Sequence, residues 1–308
     1  EPRYGISVGN QVDLTISDYL AYLKDDPEIA VYGLYLEGLK NGDGIDFVKP
    51  AKEILASGRD VIAYKAGRTA EGRDATSGHT AAIAGDYRVF EAVASDAGML
   101  VAGDFAEFEG LVKLASYFAE TGKKITGNRI AALSNAGFEC VGFADNIRGE
   151  GYKLRLASFS GEAEKRIASA FSLRGIDAII DIHNPLDLTP MATDEVVEEC
   201  VRALIDDAGI DALILSLVPL TAALNTLPES PEYEESIERE EGIVKRMLRL
   251  NKDTEKPIVV TIDCGGRYEP MVAAFEAGGI PVFRTADYTM NLLGSYISYR
   301  LGLTGGQS

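Results

Sequence analysis

The chain has 308 residues, of which 46% are hydrophobic and 25% charged, an ordinary globular composition with length for about two domains. Forty-eight acidic residues against thirty basic ones leave a net charge of −18, which excludes broad binding to nucleic acid and reads as a solvated acidic surface. The three cysteines, Cys140, Cys200 and Cys264, are far apart and show no C-x-x-C spacing, so neither a disulfide framework nor a zinc site is expected and a reducing cytoplasm fits. No apolar run approaches membrane-span length, and no signal peptide or membrane partner is expected. The chain opens on Glu1-Pro2-Arg3 without an initiator Met and reads as the interior of something larger.

In the first half, short apolar runs at Ile6–Val8, Ala30–Leu36, Val61–Lys65 and Met99–Val101 read as buried parallel strands. Amphipathic helices are expected over Asp46–Leu55, Tyr87–Ala97 and Phe105–Phe118, with Thr15 or Ser17 capping a helix through Tyr19, Leu20 and Leu23. Ala70–Thr76 reads as a long polar loop. The pattern pauses over Thr121–Asn128, which sets the domain boundary: 1–124 and 125–308. The second half restarts with strands at Arg129–Ser134, Leu154–Ala157, Ala178–Ile182, Ala212–Val218, Pro257–Ile262 and Pro281–Phe283. Helices are clearest at Asp194–Ile205 and at Tyr233–Leu250, whose charge suggests a solvated surface helix. Strand–helix alternation twice over gives the fold class α/β, two flavodoxin-like doubly wound parallel-sheet domains.

Ligands of such sheets sit beyond the carboxyl ends of the strands, which directs attention to the turns there. The segment Ser77–Gly85 holds one of only two histidines, His79, between Gly78 and Thr80. Small neighbours leave its ring open, and a neutral imidazole is a good nucleophile near neutral pH. The plainer alternative is a loop histidine bonded to backbone. Glu37 ends an apolar strand before Gly38, where it could orient an imidazole or simply be a solvated strand-end acid. Asn135-Ala136-Gly137 opens a helix whose free amides and dipole favour an anion, unless it is an ordinary strand–helix turn. His183, before Asn184-Pro185, reads as structural. Neither H-E-x-x-H, a P-loop nor G-x-S-x-G is present, and no metal site is expected.

Several motifs in order resemble the NDP-forming acyl-CoA synthetases, relatives of succinyl-CoA synthetase and ATP-citrate lyase. They are Gly5–Gln11 with Asp13, Leu34–Gly38, Lys65–Thr69, Ser77–Thr80 with Ala84-Gly85, Gly127–Gly137 and Asn184–Thr189. The resemblance implies two succinyl-CoA-synthetase-type domains, the first incomplete at its N-terminal side, and the reaction acyl-CoA + ADP + phosphate = carboxylic acid + CoA + ATP (GDP in some members). It implies His79 as the residue phosphorylated, Glu37 as its stabiliser, and Gly78, Thr80, Asn135, Ala136 and Gly137 around the phosphate. The complete enzyme would use CoA, ADP or ATP and Mg2+. Its partners would be CoA-binding and ATP-grasp domains or subunits, a small carboxylic acid or acyl-CoA, and a second copy in a homo-oligomer, since family sites form between domains. Phe138-Glu139-Cys140 departs from the small residues usual there, and Glu139 in the first helical turn would compete with a phosphate. A non-catalytic regulatory or scaffolding module of the same fold, and an unrelated flavodoxin-like binding protein, are the alternatives.

Overall fold

The computed structural model describes residues 2–40, 42–79, 85–172, 175 and 181–305, with 77–79 and 304–305 by backbone alone. It divides into two compact units, Glu1–Ala119 with Gly302–Ser308, and Glu120–Leu301.

The first unit runs α1 (Ile16–Leu23), β1 (Val31–Leu36), α2 (Gly44–Ala56), β2 (Asp60–Lys65), α3 (Ala70–His79), α4 (Tyr87–Asp96), β3 (Leu100–Val101) and α5 (Phe105–Thr121). Thr15 caps α1 in a reciprocal box, its hydroxyl accepting from Asp18 N and the Asp18 carboxylate from Thr15 N. Three parallel strands lie in the order β1-β2-β3, with Leu36 opposite Lys65. Phe47 of α2 meets Phe90 of α4 with ring centroids 6.0 Å apart. On β1, a Cβ at Gly33 would stand 3.1 Å from Val112 of α5, so the glycine admits that helix to the strand.

Two expectations fail in this unit. Ile6–Val8 joins no sheet of the described residues, and Ile6 is exposed. A stretch as short as Ile6-Ser7-Val8 without a hydrogen-bonding partner strand does not make one. The stretch Ala70–Thr76 is helical, not a loop. Thr69 Oγ1 accepts from Gly72 N at 3.0 Å and starts α3, but Ala70–Thr76 lie mostly exposed and carry no apolar stripe, so periodicity could not reveal it.

In the second unit follow β4 (Arg129–Ser134), α6 (Gly137–Asp145), β5 (Arg148–Gly149), β6 (Tyr152–Lys153), β7 (Arg155–Leu156), α7 (Gly161–Ser172), β8 (Leu186–Asp187), α8 (Asp194–Asp206), β9 (Ala212–Ser216), α9 (Ile243–Asp253), β10 (Ile258–Thr261), α10 (Glu269–Ala277), β11 (Val282–Phe283) and α11 (Ala286–Gly305), which continues from Gly302 in the first unit. The main sheet is parallel in the order β11-β10-β9-β4-β7, with β8 also on β4. Alternate residues Ala131, Leu133, Leu213, Leu215, Ile258 and Val260 share one buried cluster with residues of α7 to α10. Their neighbours Ile130, Ala132, Ile214 and Val259 are equally buried, so both sheet faces are covered, as a parallel sheet requires.

The expected helix Tyr233–Leu250 begins only at Ile243, and it is not a solvated one: Ile243, Val244, Met247 and Leu250 are buried. Asp194 Oδ1 accepts from Ile243 N at 2.9 Å and so fixes the helix start, while the acidic stretch before it turns around Asn225. Most of the expected strand Ala178–Ile182 lies outside the described residues.

β7 and β8 both pair with β4 and leave a gap between them, which the Asn184 side chain fills. Its Oδ1 accepts from Ala132 N at 3.0 Å, and its Nδ2 donates to the carbonyls of Ile130 at 2.8 Å and Ala157 at 2.9 Å. Asn184→Ala leaves buried backbone groups without partners, each costing about 1–3 kcal/mol. Urea unfolding of the variant is expected to show a loss of about 2–4 kcal/mol, and an unchanged midpoint would refute the bridging role.

Candidate functional site

Because β1 and β2 are parallel neighbours in register, the turns leaving them emerge side by side. Three consecutive carbonyls leave β1, and each has a donor from elsewhere. Leu36 O accepts from Ala66 N at 2.8 Å, Glu37 O from Lys65 Nζ at 2.8 Å, and Gly38 O from Gln11 Nε2 at 2.9 Å. Lys65 Nζ also donates to Ala66 O at 2.8 Å. Burial pulls the Lys65 ammonium below its ordinary value, with the charge of Glu37 working the other way. The half-buried Glu37 carboxylate accepts from Tyr35 Oη at 3.4 Å.

Beyond β2 the chain turns through Gly67, whose φ of +83° is left-handed backbone suited to glycine, and enters α3 at Thr69. Ten residues of helix, roughly 15 Å, then carry the backbone to His79. Ser77, Gly78 and His79 form the last turn of α3, a correction to the loop expected there. Thr80 and the rest of that loop up to Ala84 lie outside the described residues. Lys65 and Gln11 went unrecognised as site residues from sequence. The only signal was their place inside two of the motifs.

At the corresponding edge of the second sheet, Asn135-Ala136-Gly137 connects β4 to α6. Asn135 is buried and bonds Val218 twice, Nδ2 to the carbonyl at 2.9 Å and Oδ1 from the amide at 2.8 Å. The Ala136 amide donates to Ser134 Oγ at 3.1 Å. Gly137 and Phe138 hold the first two amides of the helix, which have no acceptor within it. A Cβ at Gly137 would lie 2.8 Å from the Asp187 carboxylate. Glu139, two residues further along, is 2% exposed, and neither its Oε2 nor Ser216 Oγ has a hydrogen-bond partner among the described residues. Burial first, and then the charge of Asp263, raise the Glu139 carboxyl from the ordinary 4.5 to about 7.

His183 is exposed, its Nδ1 3.5 Å from the Asp181 carboxylate, so it has no place in the core. The three cysteines are free, and burial pushes Cys140 and Cys200 up to about 12, away from thiolate chemistry. Among the described residues no group of three or more His, Cys, Asp or Glu could hold a metal ion, and no helix is long and apolar enough to cross a membrane.

The fold and these strand-end turns define a flavodoxin-type α/β protein, and residues 1–115 match the family model described as the succinyl-CoA ligase like flavodoxin domain. The alpha subunit of ADP-forming acetate–CoA ligase II from Pyrococcus furiosus is 32% identical over 92% of this chain and 56% of its own length. The ADP-forming acetate–CoA ligase of Methanocaldococcus jannaschii is 34% identical over 62% of this chain and 25% of its own length. The dinucleotide-forming acetyl-coenzyme A synthetase 1 of Ca. Korarchaeum cryptofilum, solved as the apo form, superposes with a TM-score of 0.80 over 98% of this chain and 61% of its own, at 23% identity, a likeness of fold. A second structure of it is in complex with phosphate and ADP. The chain belongs to the succinyl-CoA ligase-like family of ADP-forming acyl-CoA synthetases. It spans about half the length, or less, of the curated relatives it matches.

The raised Glu139 carboxyl makes a testable demand on stability. The folded chain holds this proton more tightly than the unfolded chain does. Its stabilising contribution is therefore complete below about 4.5 and is lost as pH rises through about 7. Between pH 5 and pH 8 the wild type is expected to lose up to roughly 3 kcal/mol relative to Glu139→Gln, read from paired urea unfolding curves. Parallel curves for the two proteins across that range would contradict the assignment.

Proposed function

We propose that this chain is the phosphohistidine-bearing portion of an ADP-forming acyl-CoA synthetase of the cytoplasm, with His79 as the residue phosphorylated. Residues 1–124 form the domain that carries it and 125–308 the domain that follows. Phosphate attacks the thioester carbonyl of an acyl-CoA, the CoA thiolate leaves and takes up a proton, and an acyl phosphate results. An imidazole nitrogen of His79 then attacks phosphorus, and the P–O bond to the acyl group breaks to release a carboxylate. An oxygen of the ADP β-phosphate takes the phosphoryl group from nitrogen in turn, which restores the imidazole and yields ATP. Such transfers depend on positioning and charge stabilisation.

Within this scheme Glu37 orients and stabilises the imidazolium character of the ring. Gly78 and Thr80 flank it without bulk, and the Asn135–Gly137 turn at the start of α6 is the phosphate-binding element of the second domain. The single observation that carries the reading is the strand-end tie: Glu37 and the turn that launches α3 toward His79 are bound to one another through Lys65. The family, and relatives named as ADP-forming ligases, support it. CoA and nucleotide would be held by CoA-binding and ATP-grasp portions, as domains or subunits, and the acid is a small carboxylic acid. Mg2+ finds no donor set among the described residues here, so no step is assigned to it in this chain.

The test uses the complete enzyme, this chain with its CoA-binding and nucleotide-binding portions. Incubation with ATP labelled at the γ-phosphate and magnesium is expected to give acid-labile, base-stable label on the protein that chases off with CoA and a carboxylic acid. His79→Ala is expected to lower labelling at least 1000-fold, since no other residue replaces the nucleophile. Nucleotide binding without label in the wild type would favour a non-catalytic module.

A further inference from the structure

We propose that Lys65 and Gln11 are positioning residues that hold Glu37 at the ligand edge of the first sheet for the His79 reaction, a role that rests on the phosphohistidine reading above. Strand ends are where a chain loses its ladder partners, and the two peptide carbonyls after Leu36 have no third strand to bond. Two side chains take them instead. Lys65 is 2% exposed and reaches Glu37 O, and Gln11 is 8% exposed and reaches Gly38 O. Each is also anchored elsewhere. Lys65 bonds the carbonyl of Ala66 in its own turn, and Gln11 Oε1 accepts from Ile16 N, the first amide of α1, at 3.2 Å. Gln11 does so from a φ of +53°, a left-handed conformation that a non-glycine residue seldom holds without compensating contacts.

Both side chains therefore act on the Glu37-Gly38 backbone. A buried ammonium is costly unless its donors are used, and here they are spent on two carbonyls that belong to the two turns flanking the site. With Leu36 O held by Ala66 N and Glu37 O by Lys65, the peptide on each side of Glu37 is fixed, and Gln11 fixes the one after it, which limits the directions the Glu37 side chain can take. That is the service outer-shell partners give to a group that must meet a reacting ring in one orientation.

The test is a double-mutant cycle in the complete enzyme, with single-turnover labelling of His79 from labelled ATP as the readout. Lys65→Met keeps the stem and removes the donors, and Lys65→Arg restores donors. Gln11→Asn tolerates left-handed backbone but falls a methylene short of Gly38, and it carries the test if Lys65→Met does not fold. Each of Lys65→Met and Gln11→Asn is expected to slow labelling about tenfold, with Lys65→Arg recovering part of the rate. Combined with Glu37→Gln, each is expected to slow it no more than about twofold further, because the group they position is already lost. Hydrogen exchange in the peptide spanning 37–39 is expected to quicken in both variants. Variants that label as fast as wild type, or that slow the Glu37→Gln enzyme by the same tenfold, overturn the positioning role. A wild type that takes no label overturns the phosphohistidine reading, and this role with it.

Discussion

Parallel strands all end on one side of their sheet, and every strand that ends there presents backbone groups its neighbours no longer satisfy. In the first unit that constraint is met by Lys65, a buried ammonium bonded to the carbonyls of Glu37 and Ala66. The arrangement depends on the register of β1 with β2, which sets Leu36 opposite Lys65. A slip of one residue would turn Lys65 to the other face and leave both turns without their donor. Gln11 closes the same region from the other side, so a segment that forms no strand is still tied to the sheet.

The second unit solves the equivalent problem with a neutral amide. Asn184 occupies the gap on β4 between β7 and β8 and satisfies backbone groups of β4 and of Ala157. Its ligand edge differs in charge from that of the first unit. Asp187 stands against Gly137, and Glu139 sits buried within the first turn of α6. The positive end of that helix thus already has carboxyl groups of its own chain beside it. With the Glu139 carboxyl raised to about 7, it is half neutral near physiological pH, which weakens the repulsion of a phosphate that its sequence position suggests.

Where the chain was legible, it was through periodic burial. β4, at Arg129–Ser134, is a short apolar run that a buried parallel strand must be, and α8 over Asp194–Asp206 carries a clear apolar stripe. Where it was misread, burial gave no pattern or the wrong one. Ala70–Thr76 of α3 are exposed or half-buried throughout, so these mostly polar residues looked like a loop. The charged stretch before α9 looked like helix because nothing local announces that Asp194, far back in the chain, takes the first amide at Ile243. Ile6–Val8 looked like a strand because so short a run, Ile-Ser-Val, cannot declare whether a partner exists.

The family motifs around Glu37, His79 and Asn135–Gly137 stand in the sequence itself, in order, as do the strand–helix alternation and the acidic surface. Those follow from residue types and their spacing, which the chain carries whether folded or not. The roles of Lys65, Gln11, Asn184 and Glu139 follow only from the tertiary structure. Each depends on a side chain meeting backbone or charge from a distant part of the chain. Burial then makes the unspent donor or acceptor costly, and no local pattern can encode which distant group arrives to satisfy it.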